Sequence, residues 1–449
     1  MSAEVWSRIA QLRQEEPEWG ILPAAMRFKQ DVSRDFGVEA AFEACRQGLE
    51  VPHLDVLRKR PVRSMFDAAR TSSSAYVALS ESIGPFTAPP LRVIGENDQK
   101  PFHGMGRHYY IACFEDCMIR GRSAAVYHHG TVLVDFEGEE RARLPDNPEY
   151  DPGILYAEGD SFWTMEPDEA ADIPEIEEAF MLSGGHTKDF GHWVTEYVPK
   201  IAMAALAGLK PMPVLIDRQM PKTSRQSLDV FMSGRTETYV VPYLAPLRVK
   251  RLWVASNPMY MGFYPTIWND NTWMSMSAPL QSYARLLAEL RRLGNFEALA
   301  PTGADRVYLA RKATRRKKLL ENHADVEALM ERQGFKVLYP EDLSFIDQIR
   351  HVYHAKCIAG PEGSNMLLAL FGKPGARILT LSSPHTFPLS DLNSCYSSIG
   401  LDYTVFTGPF TARDDDWLFW SGYRIDVEAL AQFLGQWAPE TGYCKNLTI

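Results

Sequence analysis

The sequence of 449 residues has few cysteines, no long apolar run and no excess of positive charge. Six cysteines do not make a disulfide framework in a chain of this length. No window approaches the roughly 20 consecutive apolar residues that a membrane span requires, and residues 1–22 lack the apolar core of a signal peptide. We therefore expect a cytoplasmic protein without a transmembrane span, either fully soluble or peripheral to the inner membrane.

The net charge of the chain argues against a nucleic-acid-binding function. The formal net charge is −10, whereas a nucleic-acid-binding protein needs an excess of Lys and Arg to displace counterions. We therefore expect no nucleic-acid partner. The apolar and charged fractions are those of a globular protein, and the length exceeds what one hydrophobic core supports, so two large domains are expected.

The first part of the chain is predicted to be helical. Residues 24–49 carry apolar side chains at helical spacing, and residues 64–79 do so less regularly. We interpret residues 1–85 as a helical N-terminal extension that either shapes a binding site or mediates self-association. The sequence leaves open whether the chain forms a homo-oligomer.

Residues 86–280 are predicted to form an α/β domain. β-branched and aromatic residues at 109–118 and 124–136 predict short strands. The Pro- and acid-rich stretch 144–174 is predicted to be an irregular connection, and a helix is expected at 190–209.

Strand and helix patterns alternate regularly in residues 281–425, which predicts a parallel sheet covered on both faces, as in a Rossmann-like domain. Strands are expected at 306–309, 335–338, 357–359 and 377–381, with helices at 319–333, 344–354 and 366–371. Residues 426–449 are predicted to be a terminal helix and tail that can pack back on the N-terminal half, with Asp426 as the helix cap.

A glycine-containing turn, Gly360-Pro-Glu-Gly-Ser-Asn365, lies between a predicted strand and a predicted helix. Ligands of doubly wound sheets bind at the carboxyl ends of the strands, where helix N-termini offer N–H groups to phosphates. Gly363 would let the backbone approach a diphosphate, and Ser364 could donate a hydroxyl group. A tight turn that binds nothing is the alternative.

Three arginines, Arg311, Arg315 and Arg316, follow the predicted strand 306–309 at the same edge of the sheet. Guanidinium groups can neutralise a pyrophosphate through bidentate hydrogen bonds, as a departing nucleotide requires. A solvated basic helix start is the alternative.

These segments together resemble glycosyltransferase family 61. The matching elements are Ala310-Arg311-Lys312, Asn322, Gly334-Phe335, Pro340-Glu341, Phe345, Gln348 and Gly360-Pro-Glu-Gly-Ser364. From residue 90 onwards, the resemblance implies a GT-B fold, in which two Rossmann-like domains face a cleft. Residues 86–280 would then serve the acceptor and residues 281–425 the nucleotide sugar. The donor-binding residues would be Arg311, Arg315, Arg316, Asn322, Glu362, Gly363, Ser364 and Asn365.

One position departs from the family pattern. Glu362 stands where the family usually has His. A carboxylate cannot act as a cationic phosphate ligand, so we interpret Glu362 as a residue that holds a ribose or sugar hydroxyl instead.

A second segment is similar to the family signature aromatic-x-His-Trp-x-x-Glu-x-x-Pro at a helix start. His192 and Glu196 are four residues apart, so on a helix they share one face, and Asp189 lies one turn earlier. Transfer to a hydroxyl needs a base and a group that orients the base. The sequence does not choose the base among these three residues, with His186 a weaker candidate, and a packed structural histidine is the alternative.

The resemblance implies an inverting glycosyltransferase of bacterial surface or capsule polysaccharide synthesis, with a nucleotide-sugar donor and a glycan or polysaccharide acceptor. We expect no metal and no further cofactor, although Asn269-Asp-Asn271 and Asp414-Asp-Asp416 superficially match the Asp-x-Asp metal motif. The aromatic run 253–273 is interpreted mainly as core, with an acceptor-stacking surface as the alternative. Two other functions stay open: a polysaccharide pyruvyl transferase, and a non-catalytic glycan- or nucleotide-binding relative.

Overall fold

The computed structural model describes residues 33, 36–49, 56–81, 84–99, 103–137, 151, 153–168, 170–232, 237–259, 280–312, 320–386, 389–412 and 421–438. The chain divides into two compact units, residues 1–82 with 107–262 and residues 83–106 with 263–449. The second unit thus includes residues 83–106 from early in the chain, and the division at 262 lies before the predicted boundary at 281. Within the described ranges, no helix is both long enough and apolar enough to cross a bilayer.

The described strands, in chain order, are β1 (Val56–Ser64), β2 (Ala75–Ser80), β3 (Pro85–Thr87), β4 (Arg92–Ile94), β5 (His103–Met105), β6 (Tyr109–Arg120), β7 (Val126–His128), β8 (Thr131–Val134), β9 (Ile154–Glu158), β10 (Ser161–Glu166), β11 (Glu175–Met181), β12 (Val214–Asp217), β13 (Thr238–Val241), β14 (Pro246–Ala255), β15 (Arg306–Leu309), β16 (Lys336–Leu338), β17 (Cys357–Pro361), β18 (Arg377–Ser382), β19 (Asp402–Thr407), β20 (Phe410–Ala412) and β21 (Gly422–Tyr423).

The described α-helices are α1 (Val38–Leu49), α2 (Met65–Ser72), α3 (Phe190–His192), α4 (Val198–Leu206), α5 (Lys222–Met232), α6 (Leu280–Leu293), α7 (His323–Arg332), α8 (Phe345–His354), α9 (Ser390–Ser398) and α10 (Val427–Trp437). A π-helical turn, Trp193–Tyr197, joins α3 to α4, and 3-10 turns lie at Phe296–Ala298, Pro340–Asp342 and Met366–Phe371.

A mixed sheet forms the centre of the first unit, with the order β13-β12-β11-β14-β6-β7-β8-β1-β10-β9 and β2 paired to β6. Strands β13, β12, β11 and β14 are parallel, and helices connect β11 to β12 and β12 to β13. Strand β6 is antiparallel to β14 and to β2. This unit therefore has a Rossmann-like βαβαβ part within a larger sheet whose other pairs are antiparallel, except for the parallel pair of β1 and β8.

Two predictions for the first unit are wrong. The predicted helical extension contains β1 and β2, and the predicted irregular stretch 144–174 contains β9 and β10. The reason is long-range pairing: β10 runs antiparallel to β1, and Glu166 on β10 accepts two hydrogen bonds from Arg60 on β1, at 2.8 and 2.7 Å. Local spacing contains no information about a partner strand about a hundred residues away.

The second unit is built on parallel strands in the order β16-β15-β17-β18-β19-β4. Apart from small shifts at their ends, the helices and strands predicted between 306 and 381 are present, although Met366–Phe371 is a 3-10 helix. Helix α10 begins after Asp426, whose carboxylate accepts hydrogen bonds from the N–H groups of Glu428 and Ala429. Its Leu430 and Leu434 lie in the core of this unit.

The strand order of this sheet reverses next to β15. From β15 the chain passes through α7 to β16 on one side of β15, and then through α8 to β17 on the other side. In open α/β sheets, ligands bind at the carboxyl ends of the strands where the order reverses in this way. That position lies between the ends of β15 and β17.

Candidate functional site

His192 and Glu196 form a buried pair where α3 passes into the π-helical turn. His192 Nδ1 lies 2.5 Å from Glu196 Oε1, and the two residues are 4% and 2% exposed. The pair therefore has the contact that the four-residue spacing predicts. The π-helical turn was not predicted; such turns are rare and occur often at functional sites.

The loop before α3 brings two more ionisable side chains to this pair. The rings of His186 and His192 stack with centroids 4.4 Å apart and an interplanar angle of 18°. The carboxylate of Asp189 lies 3.8 Å from His186 Nδ1 and makes no hydrogen bond to the helix start. All three predicted residues are thus close together, and Asp189 is next to His186.

The charges of this cluster shift the pKa values in opposite directions. Burial lowers the pKa of His192, but the charge and hydrogen bond of Glu196 outweigh that effect, so the net pKa lies above the usual 6.5. Burial and the charge of His192 lower the pKa of His186. Burial raises the pKa of Asp189, but its interactions with the neighbouring imidazoles of His186 and His192 outweigh that effect and lower the pKa to about 2. His192 is therefore the histidine of this pair that more readily takes up a proton.

Asp217, at the carboxyl end of β12, fixes the loop that carries His186. Its carboxylate is buried and accepts hydrogen bonds from Ser183 Oγ at 2.5 Å, Gly184 N at 2.9 Å and Thr187 Oγ1 at 2.6 Å. It also accepts one from Arg122 N at 2.6 Å. Sequence reasoning missed this residue; the available signal was an Asp that directly ends a buried apolar strand.

Gly184 allows the loop to pack against the π-helical turn. A Cβ atom at this position would lie 2.3 Å from the hydroxyl oxygen of Tyr197. That hydroxyl accepts a hydrogen bond from the N–H group of His186 at 3.4 Å. A side chain at position 184 would therefore push the loop away from the helix.

In the second unit, Arg311 lies at the position where the strand order reverses. It follows β15, and its Nη1 donates a 2.8 Å hydrogen bond to the carbonyl oxygen of Glu362, directly after β17. Gly363 has φ +150°, and a Cβ atom there would lie 2.0 Å from Arg311 Nη1. The guanidinium group thus lies on the backbone of the turn, and Ser364 is exposed beside it.

The environment of Arg311 suits an anionic ligand. Burial lowers the pKa of its guanidinium, partly offset by the charges of Glu341 and Glu362. The group remains cationic because an arginine side chain does not lose its proton in proteins. A partly desolvated cation loses less hydration when an anion binds, so the position favours phosphate oxygens.

Three predicted donor residues make hydrogen bonds within the second unit. The buried carboxylate of Glu362 accepts a hydrogen bond from the hydroxyl of Ser382. Asn365 Nδ2 donates to the carbonyl oxygen of Leu309 at 2.7 Å. Asn322 donates to the carbonyl of Ile425 at 2.8 Å and accepts from its N–H group at 3.1 Å.

Glu362 thus links the β17 turn to the end of β18, Asn365 links the turn to β15, and Asn322 binds the segment before α10. Their contacts with a donor stay a prediction. Outside the described residues lie Arg315 and Arg316, both Asp-x-Asp-like segments and residues 260–273 of the aromatic run. Within the described ranges, no three His, Cys, Asp or Glu side chains are grouped as ligands for a metal ion.

Residues 190–379 match the family model described as Glycosyltransferase 61. No curated protein matches the chain. The matched segment begins at the helix that carries His192 and Glu196, and it includes Arg311 and the turn at Gly363. The match supports glycosyltransferase family 61 for this part of the chain.

Proposed function

We propose that the protein is an inverting glycosyltransferase that moves a sugar from a nucleotide-sugar donor to a glycan or polysaccharide acceptor. The proposal rests on the position of Arg311. Its guanidinium group lies against the backbone of the turn at Gly363, where the strand order of a parallel sheet reverses. The family match of residues 190–379 supports the same reaction class.

Arg311, Gly363 and Ser364 bind the diphosphate of the donor in this proposal. Negative charge grows on the departing nucleotide when the bond to the sugar breaks, and a fixed cation stabilises that charge. Arg311 supplies this cation from a partly buried position, and Ser364 adds a hydroxyl donor at the start of the 3-10 turn. We propose that this arrangement makes the reaction independent of a metal ion.

His192 acts as the general base. It takes the proton from the acceptor hydroxyl as that oxygen attacks the anomeric carbon, and Glu196 orients the ring and stabilises the imidazolium that forms. Asp189 acts on the neighbouring His186 rather than on the acceptor. One displacement at the anomeric carbon inverts its configuration.

The architecture of the two units supports a glycosyltransferase of the GT-B type. Each unit has parallel strands joined by helices; the first carries the base, and the second the donor site. The role in bacterial surface or capsule polysaccharide synthesis rests on the family resemblance.

A thermal-shift screen with nucleoside diphosphates and phosphoenolpyruvate tests the proposal. A nucleoside diphosphate at 100 times its Kd should stabilise the protein by about 2.7 kcal/mol. Arg311→Ala should lose this response, whereas the control Lys312→Ala, whose exposed side chain pairs with Asp342, should keep it. Stabilisation by phosphoenolpyruvate alone would overturn the proposal in favour of a pyruvyl transferase.

A further inference from the structure

A lysine in the first unit lies on the same run of helix as the proposed base. Lys200 is in the first turn of α4, four residues after Glu196, and Glu196 is four residues after His192. Side chains four residues apart lie on one face of a helix. Every residue from 191 to 199 is buried, whereas Lys200 is partly exposed. The helix face that carries the proposed base thus reaches solvent at Lys200.

The ammonium group of Lys200 lies beside the histidine cluster. Its Nζ lies over the ring of Tyr197, 5.2 Å from the ring centroid. The hydroxyl of Tyr197 accepts the hydrogen bond from the N–H group of His186, and the ring of His186 stacks on that of His192. Lys200 and the loop that carries His186 therefore contact the same side chain.

The electrostatic environment of Lys200 favours an anionic ligand. Asp135 and Glu196 are its neighbouring negative charges, but in the part of the chain that the structure describes no carboxylate forms an ion pair with Nζ. Burial lowers the pKa of the ammonium group from the usual 10.5, and the two carboxylates offset this effect only in part. A partly desolvated cation without an ion pair is costly. An anion bound beside Nζ would reduce that cost and favour the charged form.

We propose that Lys200 binds a carboxylate of the acceptor, so that the protein acts on a glycan with an acidic sugar near the hydroxyl that His192 deprotonates. Because the chain carries a formal net charge of −10, its overall field does not attract an acidic glycan. Recognition of such a glycan therefore depends on a local cation, and Lys200 determines acceptor specificity without taking part in proton transfer. The inference rests on the proposed function, because it names the acceptor class for the same site.

The test compares acceptors with and without the carboxylate, by isothermal titration calorimetry of the full chain. The probes are oligosaccharides that contain uronic acids, each beside its carboxyl-reduced form, and a nucleoside diphosphate is titrated separately. The unsubstituted chain should bind an acidic oligosaccharide more tightly than its reduced form. Lys200→Met should weaken the acidic oligosaccharide by about 10- to 100-fold, the effect of one charge-assisted hydrogen bond, and leave the reduced form and the nucleoside diphosphate unchanged. Lys222→Met, at the exposed first residue of α5, is the matched control and should bind all three like the unsubstituted chain.

The outcomes distinguish the inference from the function on which it rests. Unchanged affinity of a folded Lys200→Met variant for the acidic oligosaccharide would overturn the inference and leave the proposed function intact. An equal loss for the acidic and the reduced form would also overturn it, because it indicates damage to the helix, and so would an unsubstituted chain that prefers no acidic form. If Lys200→Met does not fold, Lys200→Gln should show the selective loss, and its absence would count against the inference. If the unsubstituted chain binds no nucleoside diphosphate, the proposed function itself fails.

Discussion

Replacing Gly363 with alanine tests whether the contact between Arg311 and the β17 turn forms the diphosphate site. The new Cβ atom would lie 2.0 Å from Arg311 Nη1 and 2.6 Å from its Cζ. The backbone of the turn is fixed by the bond from Glu362 N to Leu381 O. The guanidinium group must therefore move away, which breaks its 2.8 Å hydrogen bond to the Glu362 carbonyl.

Two effects of this substitution have different sizes and different assays. Alanine at φ +150° is strained, and such backbone strain costs of order 1–3 kcal/mol of unfolding free energy. The displaced cation should reduce the free energy of nucleoside diphosphate binding by about 1.5–3 kcal/mol, the range for a charged hydrogen bond. That loss corresponds to roughly 10- to 100-fold in Kd.

Gly375→Ala is the matched control. Gly375 also has positive φ, at +88°, but a Cβ atom there has no neighbour within 4 Å. Urea denaturation should give losses of similar size for both variants, whereas calorimetry should give weaker diphosphate binding for Gly363→Ala alone. In the double variant Gly363→Ala/Arg311→Ala, the loss of diphosphate affinity should be no larger than in Arg311→Ala alone, because both substitutions remove the same contact. Unchanged affinity in Gly363→Ala would refute the assignment of Arg311 as the diphosphate ligand.

Four further outcomes are expected. His192→Ala should abolish transfer with unchanged nucleotide affinity, by turnover assay and calorimetry, and retained turnover would exclude His192 as the base. Because Glu196 raises the pKa of His192, activity should fall as pH drops through a value above 6.5. In Glu196→Gln the lowering of the His192 pKa by burial should dominate, so the acid limb of the pH–rate profile should move to lower pH. An unmoved acid limb would contradict the assignment of His192 as the base. Asp217→Ala should cost about 3 kcal/mol or more in urea denaturation, because it leaves the N–H groups of Gly184 and Arg122 buried without their acceptor; a loss below about 1 kcal/mol would contradict this role. Transfer should persist in EDTA, and its loss with recovery on adding a divalent cation would contradict metal independence.

Local sequence patterns predicted the elements of the second unit well because most of them are specified locally. β15 was predicted with the same bounds, 306–309, since its apolar residues are buried between two neighbouring strands. Asp426 was predicted as the helix cap, and its carboxylate accepts hydrogen bonds from two N–H groups in the first turn of α10. β4 was not predicted to join this sheet, because its partner β19 is about three hundred residues later.

In the candidate sites, too, contacts between residues close in sequence were predicted and contacts with distant segments were not. The contact between His192 and Glu196 depends only on helical spacing and was foreseen, as was the common sheet edge of Arg311 and Gly363. Asp217 was missed because Ser183 and Thr187, which donate hydrogen bonds to its carboxylate, lie about thirty residues earlier, in a loop whose path the sequence does not reveal. The sequence also could not show that the side-chain amides of Asn322 and Asn365 bond backbone groups of distant segments.

The most direct test of the central claim is product analysis after incubation of the chain with a panel of nucleotide sugars and polysaccharide fragments. Mass spectrometry should detect an acceptor heavier by one sugar residue together with released nucleoside diphosphate, and NMR of the new linkage should show inverted anomeric configuration. Retained configuration would contradict the single displacement with His192 as base. No transfer from any nucleotide sugar, by a protein that binds the nucleoside diphosphate, would contradict the proposed activity.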